Sequence, residues 1–348
     1  SNFSCISPST FIIKYSPTNL IISASYNTNA TISGTNTGTT DGNNFLLSDE
    51  NSDGKVDFMF QGNGSLNRAL NNSSLSSIIT TSDFAVSTLN SWSTQVTYGA
   101  NTITSGDYNA DGYMDYLVGK VGYNGTEVLM QNSTSPGQYI TQSPNVSSYQ
   151  THPVSLDFNL DGMVDIISGY FSSSSNFYQQ TNTSTGGNNA ISFSGNRSNL
   201  DGNHTRASVS SDFDLNGYPD YATLSNDNNR IVLVPYDISG SQSPVYLASG
   251  YSGKELYSAD INGDGKDEII IASSGSNIRV YQNTSTVGSI AFGSFVTVTD
   301  GTSEAWGSVE VVDFNGDGKP DILAMSSNKI TLFLNTTTGS STSFDSGT

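Results

Sequence analysis

Six copies of one nine-residue pattern limit what this chain can fold into. They are residues 49–57 (DENSDGKVD), 107–115 (DYNADGYMD), 157–165 (DFNLDGMVD), 212–220 (DFDLNGYPD), 260–268 (DINGDGKDE) and 313–321 (DFNGDGKPD). Their first residues lie 58, 50, 55, 48 and 53 positions apart. A motif that returns at this period between apolar runs marks a repeat array, in which each unit buries its faces against its neighbours. Position six is glycine in every copy, as a sharp turn through positive φ requires.

The chemistry of the pattern is that of a hard-cation loop. Positions one, three, five and nine offer side-chain oxygens: Asp49, Asn51, Asp53 and Asp57; Asp107, Asn109, Asp111 and Asp115; Asp157, Asn159, Asp161 and Asp165; Asp212, Asp214, Asn216 and Asp220; Asp260, Asn262, Asp264 and Glu268; Asp313, Asn315, Asp317 and Asp321. The carbonyl at position seven, from Lys55, Tyr113, Met163, Tyr218, Lys266 or Lys319, supplies a further ligand. Calcium takes about six to eight such oxygens, water included, so the chain is expected to hold up to six calcium ions, chiefly as structural staples. An EF-hand is excluded, because its bidentate Glu at position twelve is replaced by Phe60, Val118, Ser168, Thr223, Ile271 and Ala324. The fourth loop, with Asp214 and Asn216 exchanged relative to its neighbours, is expected to bind no more tightly than they do.

Charge follows from the same loops. The formal net charge is −19, yet 20 of the 31 Asp and Glu lie within the six loops. Six bound calcium ions would bring the net charge to about −7. No basic patch is visible, which argues against nucleic acid as a partner. The single cysteine, Cys5, excludes an internal disulfide framework. No apolar run approaches the ~18 residues of a membrane-spanning helix.

Around each loop the sequence predicts four strands, clearest in the fifth unit at residues 256–259, 268–273, 278–282 and 294–299. Second strands are predicted at 56–60, 114–118, 164–168, 219–223, 268–272 and 320–324, and third strands at 64–70, 126–131, 176–180, 230–234, 278–282 and 330–334. No segment has the period of an amphipathic helix. A lone four-stranded sheet exposes two apolar faces, and radial packing of such sheets in a β-propeller covers both. The expected fold is therefore all-β: a propeller of seven four-stranded antiparallel blades counting the leader, with six as the alternative, and calcium loops between first and second strands. Residues 40–348 form the six repeats. Residues 1–39 carry strand-like runs without a cation loop and read either as a partial blade or as a leader that exchanges a strand with another copy.

The loops and their period resemble the FG-GAP/VCBS repeats of integrin-α-type propellers, and the looser VCBS form is nearer because the Phe-Gly and Gly-Ala-Pro signatures are missing. The resemblance implies a secreted or cell-surface, calcium-binding propeller used in adhesion or lectin-like recognition of carbohydrate or protein. A structural subunit of an extracellular filament or coat, self-assembling through the leader, is the rival reading. A polysaccharide-active enzyme comes third. The motifs HExxH, GxSxG, the P-loop and GxGxxG are all missing, and the only histidines, His152 and His204, read as structural, so no catalytic centre is expected.

Two further groups stand out. Asn71, Asn72, Asn132, Asn182, Asn283 and Asn335 open Asn-x-Ser/Thr triplets 22 to 25 residues after their repeat's first Asp, and are candidates for glycosylation or simply suit the turn there. Most of the 36 aromatic residues should pack between blades, whereas Trp92 and Trp306 are the expected exposed recognition residues.

Overall fold

The computed structural model describes residues 11–16, 19–24, 30–32, 45–48, 57–62, 65–72, 84–91, 103–118, 127–132, 138–142, 150–170, 176–185, 191–199, 205–225, 230–248, 253–273, 277–302, 306, 308–325, 330–339 and 341–347. The leader contributes a three-stranded sheet, β1 (Phe11–Ser16), β2 (Asn19–Ala24) and β3 (Ala30–Ile32). Six meandering antiparallel units follow. The first is β4 (Phe45–Ser48), β5 (Asp57–Gly62), β6 (Ser65–Asn71) and β7 (Phe84–Ser91), and the second is β8 (Ile103–Gly106), β9 (Asp115–Val118), β10 (Glu127–Gln131) and β11 (Tyr139–Gln142). The third is β12 (Gln150–Leu156), β13 (Asp165–Tyr170), β14 (Asn176–Asn182) and β15 (Phe193–Asn199).

In the fourth unit β16 (Thr205–Ser211), β17 (Asp220–Ser225) and β18 (Arg230–Val234) are followed by a small hairpin, β19 (Tyr236–Asp237) with β20 (Gly240–Ser241), before the outer strand β21 (Val245–Ala248). The fifth is β22 (Gly253–Ala259), β23 (Glu268–Ser273), β24 (Ile278–Asn283) and β25 (Phe292–Val298). The sixth has β26 (Ser308–Val312), β27 (Asp321–Met325) and β28 (Ile330–Phe333), and the bridge Asn335↔Phe344 repeats the Asn283↔Phe292 pairing of the unit before. The described residues contain no helix, and hence none long and apolar enough to cross a membrane.

Register fixes the loops. The residue before each motif pairs with its ninth residue: Ser48↔Asp57, Gly106↔Asp115, Leu156↔Asp165, Ser211↔Asp220, Ala259↔Glu268 and Val312↔Asp321. Position nine therefore opens every second strand. The first strands β4, β8, β12, β16, β22 and β26 lie beside one another in that order, which makes them the inner row of a radial array, and β1 lies beside β28.

The core is layered rather than central, with a separate apolar cluster between each pair of successive units from the first to the sixth. Second strands are sandwiched between two such layers, which is why β17 is buried at every position and why these segments read as continuous apolar runs instead of alternating ones. The outer strand β25, by contrast, keeps exposed residues along its length. Residue two of the loop belongs to the layer as well: Tyr108, Phe158, Phe213 and Ile261 are each buried against the following unit. Trp306 corrects an expectation. It is fully buried in the layer between the fifth and sixth units and stands edge-on to Phe333, with ring centroids 5.8 Å apart, so it is core and not a recognition residue. Trp92, His204 and Cys5 lie outside the described residues.

Candidate metal centre

Five of the six loops are described throughout; of the first, Asp57 is described and buried, while Asp49, Asn51, Asp53 and Lys55 lie outside the described residues. The five share one hydrogen-bonded wrap. The position-one carboxylate accepts the glycine N–H of position six at 2.8–2.9 Å and the N–H of position five at 3.0–3.1 Å. The position-five side chain accepts the N–H of position seven, at Tyr113, Met163, Tyr218, Lys266 and Lys319. Chain reversal needs positive φ at the expected glycine, and also at position four, where Ala110, Leu160 and Leu215 adopt φ of 53°, 57° and 56°. That second left-handed residue was not foreseen, since only Gly263 and Gly316 advertise it.

Position nine is the buried anchor of each loop. Asp115 accepts the N–H of Tyr108 at 3.0 Å and of Gln131 at 2.8 Å, and Asp220 those of Phe213 and Tyr236 at 2.9 Å each. Glu268 binds the N–H of Ile261, and Asp321 those of Phe314 and Asn335. Burial pushes the carboxyls of Asp115, Asp165, Asp220 and Glu268 up to about 7; the backbone N–H bonds oppose the shift, and like charges in the same loop add to it. Such a group ionises readily only beside a positive charge.

Among the described residues, Asp212, Asp214 and Asp220 are the acidic trio whose ligand oxygens all lie within 4.8 Å of one another. An all-oxygen set of this kind, with two of its members buried, fits a hard cation. Among the described loops, each with three carboxylates at positions one, three, five and nine, this one brings its three within that distance. Its Asn216 at position five donates Nδ2 to the Tyr236 carbonyl at 2.7 Å, tying the loop to the β19–β20 hairpin.

The Asn-x-Ser/Thr triplets have a structural use. Asn182 donates Nδ2 to the carbonyls of Tyr108 and Val164 at 2.8 and 3.0 Å, Asn283 to Phe213 and Asp267 at 2.9 Å each, and Asn335 to Ile261 and Pro320 at 2.9 Å each. In each case the first carbonyl is position two of the preceding unit's loop and the second is position eight of its own. The Oδ1 atoms accept the N–H two residues on, at Ser184, Ser285 and Thr337. The hydroxyls of Ser285 and Thr337 then accept the N–H of Ala291 and Ser343.

Asn182, Asn283 and Asn335 are therefore corrected as glycosylation candidates: they are 3% exposed, and the amide nitrogen a glycan would occupy uses both of its hydrogens. Asn72 is exposed and Asn132 half-buried, while the Asn71 side chain lies outside the described residues. His152 is buried at φ 50° beside a bulge in β12.

Residues 212–271 and 260–324 match the FG-GAP-like repeat family. Over that third of the chain the sequence resembles FG-GAP-like repeats, and the sheet topology above is that of a β-propeller. No curated protein matches the chain in sequence. Among solved structures it is similar to an Agrocybe aegerita lectin that recognises non-reducing terminal N-acetylglucosamine, with a TM-score of 0.63 and 15% identity over 97% of this chain and 89% of that one. It is also similar to a Bacteroides uniformis protein provisionally named a 6-phosphogluconolactonase (0.59, 12%, 96% and 94%) and to BBS1N in complex with ARL6DN (0.51, 12%, 97% and 95%).

These likenesses establish a propeller-type fold. They also overturn the expectation that no catalytic centre is present. Proteins named as 6-phosphogluconolactonases from two Bacteroides species share the fold, so missing sequence motifs do not exclude catalysis on it.

Proposed function

We propose that this chain is an extracellular propeller stapled by calcium at its six loops, which presents a ligand-binding face to a carbohydrate or protein partner. The observation that carries the reading is the common wrap of the five described loops around an acidic centre, each with a buried position-nine carboxyl that a cation would compensate. Loops of this type and the turns between third and fourth strands emerge at the same end of a meandering blade. The exposed apolar tips Leu160, Leu215, Ile238 and Val287 lie in those connections, which makes that end the favoured ligand face. The lectin likeness supports a carbohydrate partner, and the complex of BBS1N supports a protein one, at the level of the fold. The leader sheet β1–β3, with β1 beside β28, is read as a partial further blade in line with the six repeats.

The test is thermal unfolding of chelator-treated protein with and without millimolar calcium. Bound metal stabilises the folded state by mass action, so a melting point that rises with calcium concentration is expected, and one that is indifferent to it would sink the metal reading. A glycan array with wild type and Ile238→Ser separates the two partner classes. Binding lost in the variant at unchanged melting supports a carbohydrate ligand at this end.

A further inference from the structure

Resting on the calcium reading above, we infer that the cation loops are coupled in groups, with the buried Asn of the third-strand exit as the coupling residue and a break between the third and fourth units. The path is continuous in hydrogen bonds. The Phe213 N–H in loop four is held by Asp220, and its carbonyl by Asn283 Nδ2 of the next unit. The Asn283 N–H reaches Glu268, the position-nine anchor of loop five, at 3.4 Å. Glu268 holds the N–H of Ile261, whose carbonyl takes Asn335 Nδ2, and the Asn335 N–H ends on Asp321, the anchor of loop six.

Each clamp therefore joins the ligand-bearing turn of one unit to the buried anchor of the next. A cation that fixes one turn fixes the carbonyl on which the neighbouring anchor's Asn depends. Asn182 makes the same link between loops two and three, through Tyr108 and Asp165.

Between the third and fourth units the link is of another kind. Tyr236 stands where the Asn would be: its N–H still binds Asp220, but its ring lies tilted against Phe158, with centroids 5.4 Å apart and planes at 34°, and its hydroxyl has no hydrogen-bond partner among the described residues, so Tyr236 gives the Phe158 carbonyl no donor. A ring contact tolerates sliding that a pair of buried hydrogen bonds does not. Loops two and three form one coupled group, and loops four, five and six another. Coupling between sites is a free energy and is reciprocal, so disabling one loop weakens only those in its own group.

The experiment uses terbium as a luminescent substitute for calcium, sensitised by Tyr218 at position seven of loop four, in a background in which Asp107→Asn and Asp111→Asn disable the other tyrosine-bearing loop, loop two. Disabling loop five with Asp260→Asn and Asp264→Asn is expected to weaken terbium binding at loop four about fivefold, the low end of ordinary coupling. Disabling loop three with Asp157→Asn and Asp161→Asn is expected to leave it unchanged. Asn283→Asp, which keeps the shape and removes the donors, should abolish the effect of loop five. Equal effects from loops three and five, or none from either, overturn the grouping while leaving the calcium reading intact. Terbium and calcium that bind nowhere overturn both. Should Asn283→Asp fail to fold, the contrast between loops three and five decides the matter alone.

Discussion

The junction between the third and fourth units and the junction between the fourth and fifth do the same job with different chemistry. At the first, Tyr236 fills the layer with an aromatic ring against Phe158. At the second, Asn283 is also buried but gives its Nδ2 to the carbonyls of two loops, while its Oδ1 accepts the N–H of Ser285. The ring contributes area without direction, and the amide contributes direction with little area. Buried polar groups fix a unique arrangement only when fully satisfied, and the amide meets that condition. Tyr236 does not: its hydroxyl is buried without a hydrogen-bond partner among the described residues.

The largest effect is expected from what both junctions share, the buried anchors. Asp115, Asp165, Asp220 and Glu268 titrate near 7 in the folded protein against ordinary values of 3.8 and 4.5. Between these limits the folded state holds protons that the unfolded chain has lost, so the stability of chelated protein should fall as pH rises from about 4 to about 7. Saturating calcium favours the ionised anchors and should remove or reverse the trend. Denaturant melts across this range, with and without calcium, check it; a flat profile in chelator would contradict the burial of the anchors.

Truncation separates the junctions. Tyr236→Ala deletes a buried ring and should cost about 3–5 kcal/mol. Asn283→Ala orphans the buried Phe213 carbonyl and the Ser285 N–H, and should cost about 2–3 kcal/mol. Tyr236→Phe removes only the unpartnered hydroxyl and should stabilise by about 1 kcal/mol. If Tyr236→Phe destabilises instead, the hydroxyl has a partner and the contrast between ring and amide fails. Urea unfolding of the three variants gives the order directly.

The smallest effect is at position four. Leu160 and Leu215 hold left-handed conformations that cost a side chain about 1–2 kcal/mol, partly offset by the greater unfolded-state entropy of glycine. Leu160→Gly and Leu215→Gly should each stabilise by about 0.5 kcal/mol, read from the same unfolding curves. Glycine replacing Gly263's counterparts in this way would also show whether the exposed leucines are kept for binding, since a glycan array would then lose signal without loss of stability.

By itself the sequence determined the repeat, its period, the strands and the nine-residue loops between them. Each of these is local: a second strand such as Glu268–Ser273 is an apolar run next to a turn, and a nine-residue loop places its own oxygens through its own glycine. It also put Asn182, Asn283 and Asn335 at a fixed distance from the motif, a signal that was legible and read as surface chemistry. Only the tertiary structure decided their use, because one of the two carbonyls each binds belongs to a loop 70 to 74 residues away. Trp306 was misplaced for the same reason: nothing near it in sequence reveals that the faces of the fifth and sixth units close over its ring. The β19–β20 hairpin and the gathering of Asp212, Asp214 and Asp220 likewise depend on how Tyr236 and Asn216 meet. Local pattern fixes what a blade is, and packing between blades, where buried donors must find acceptors from distant segments, fixes how neighbouring blades hold together.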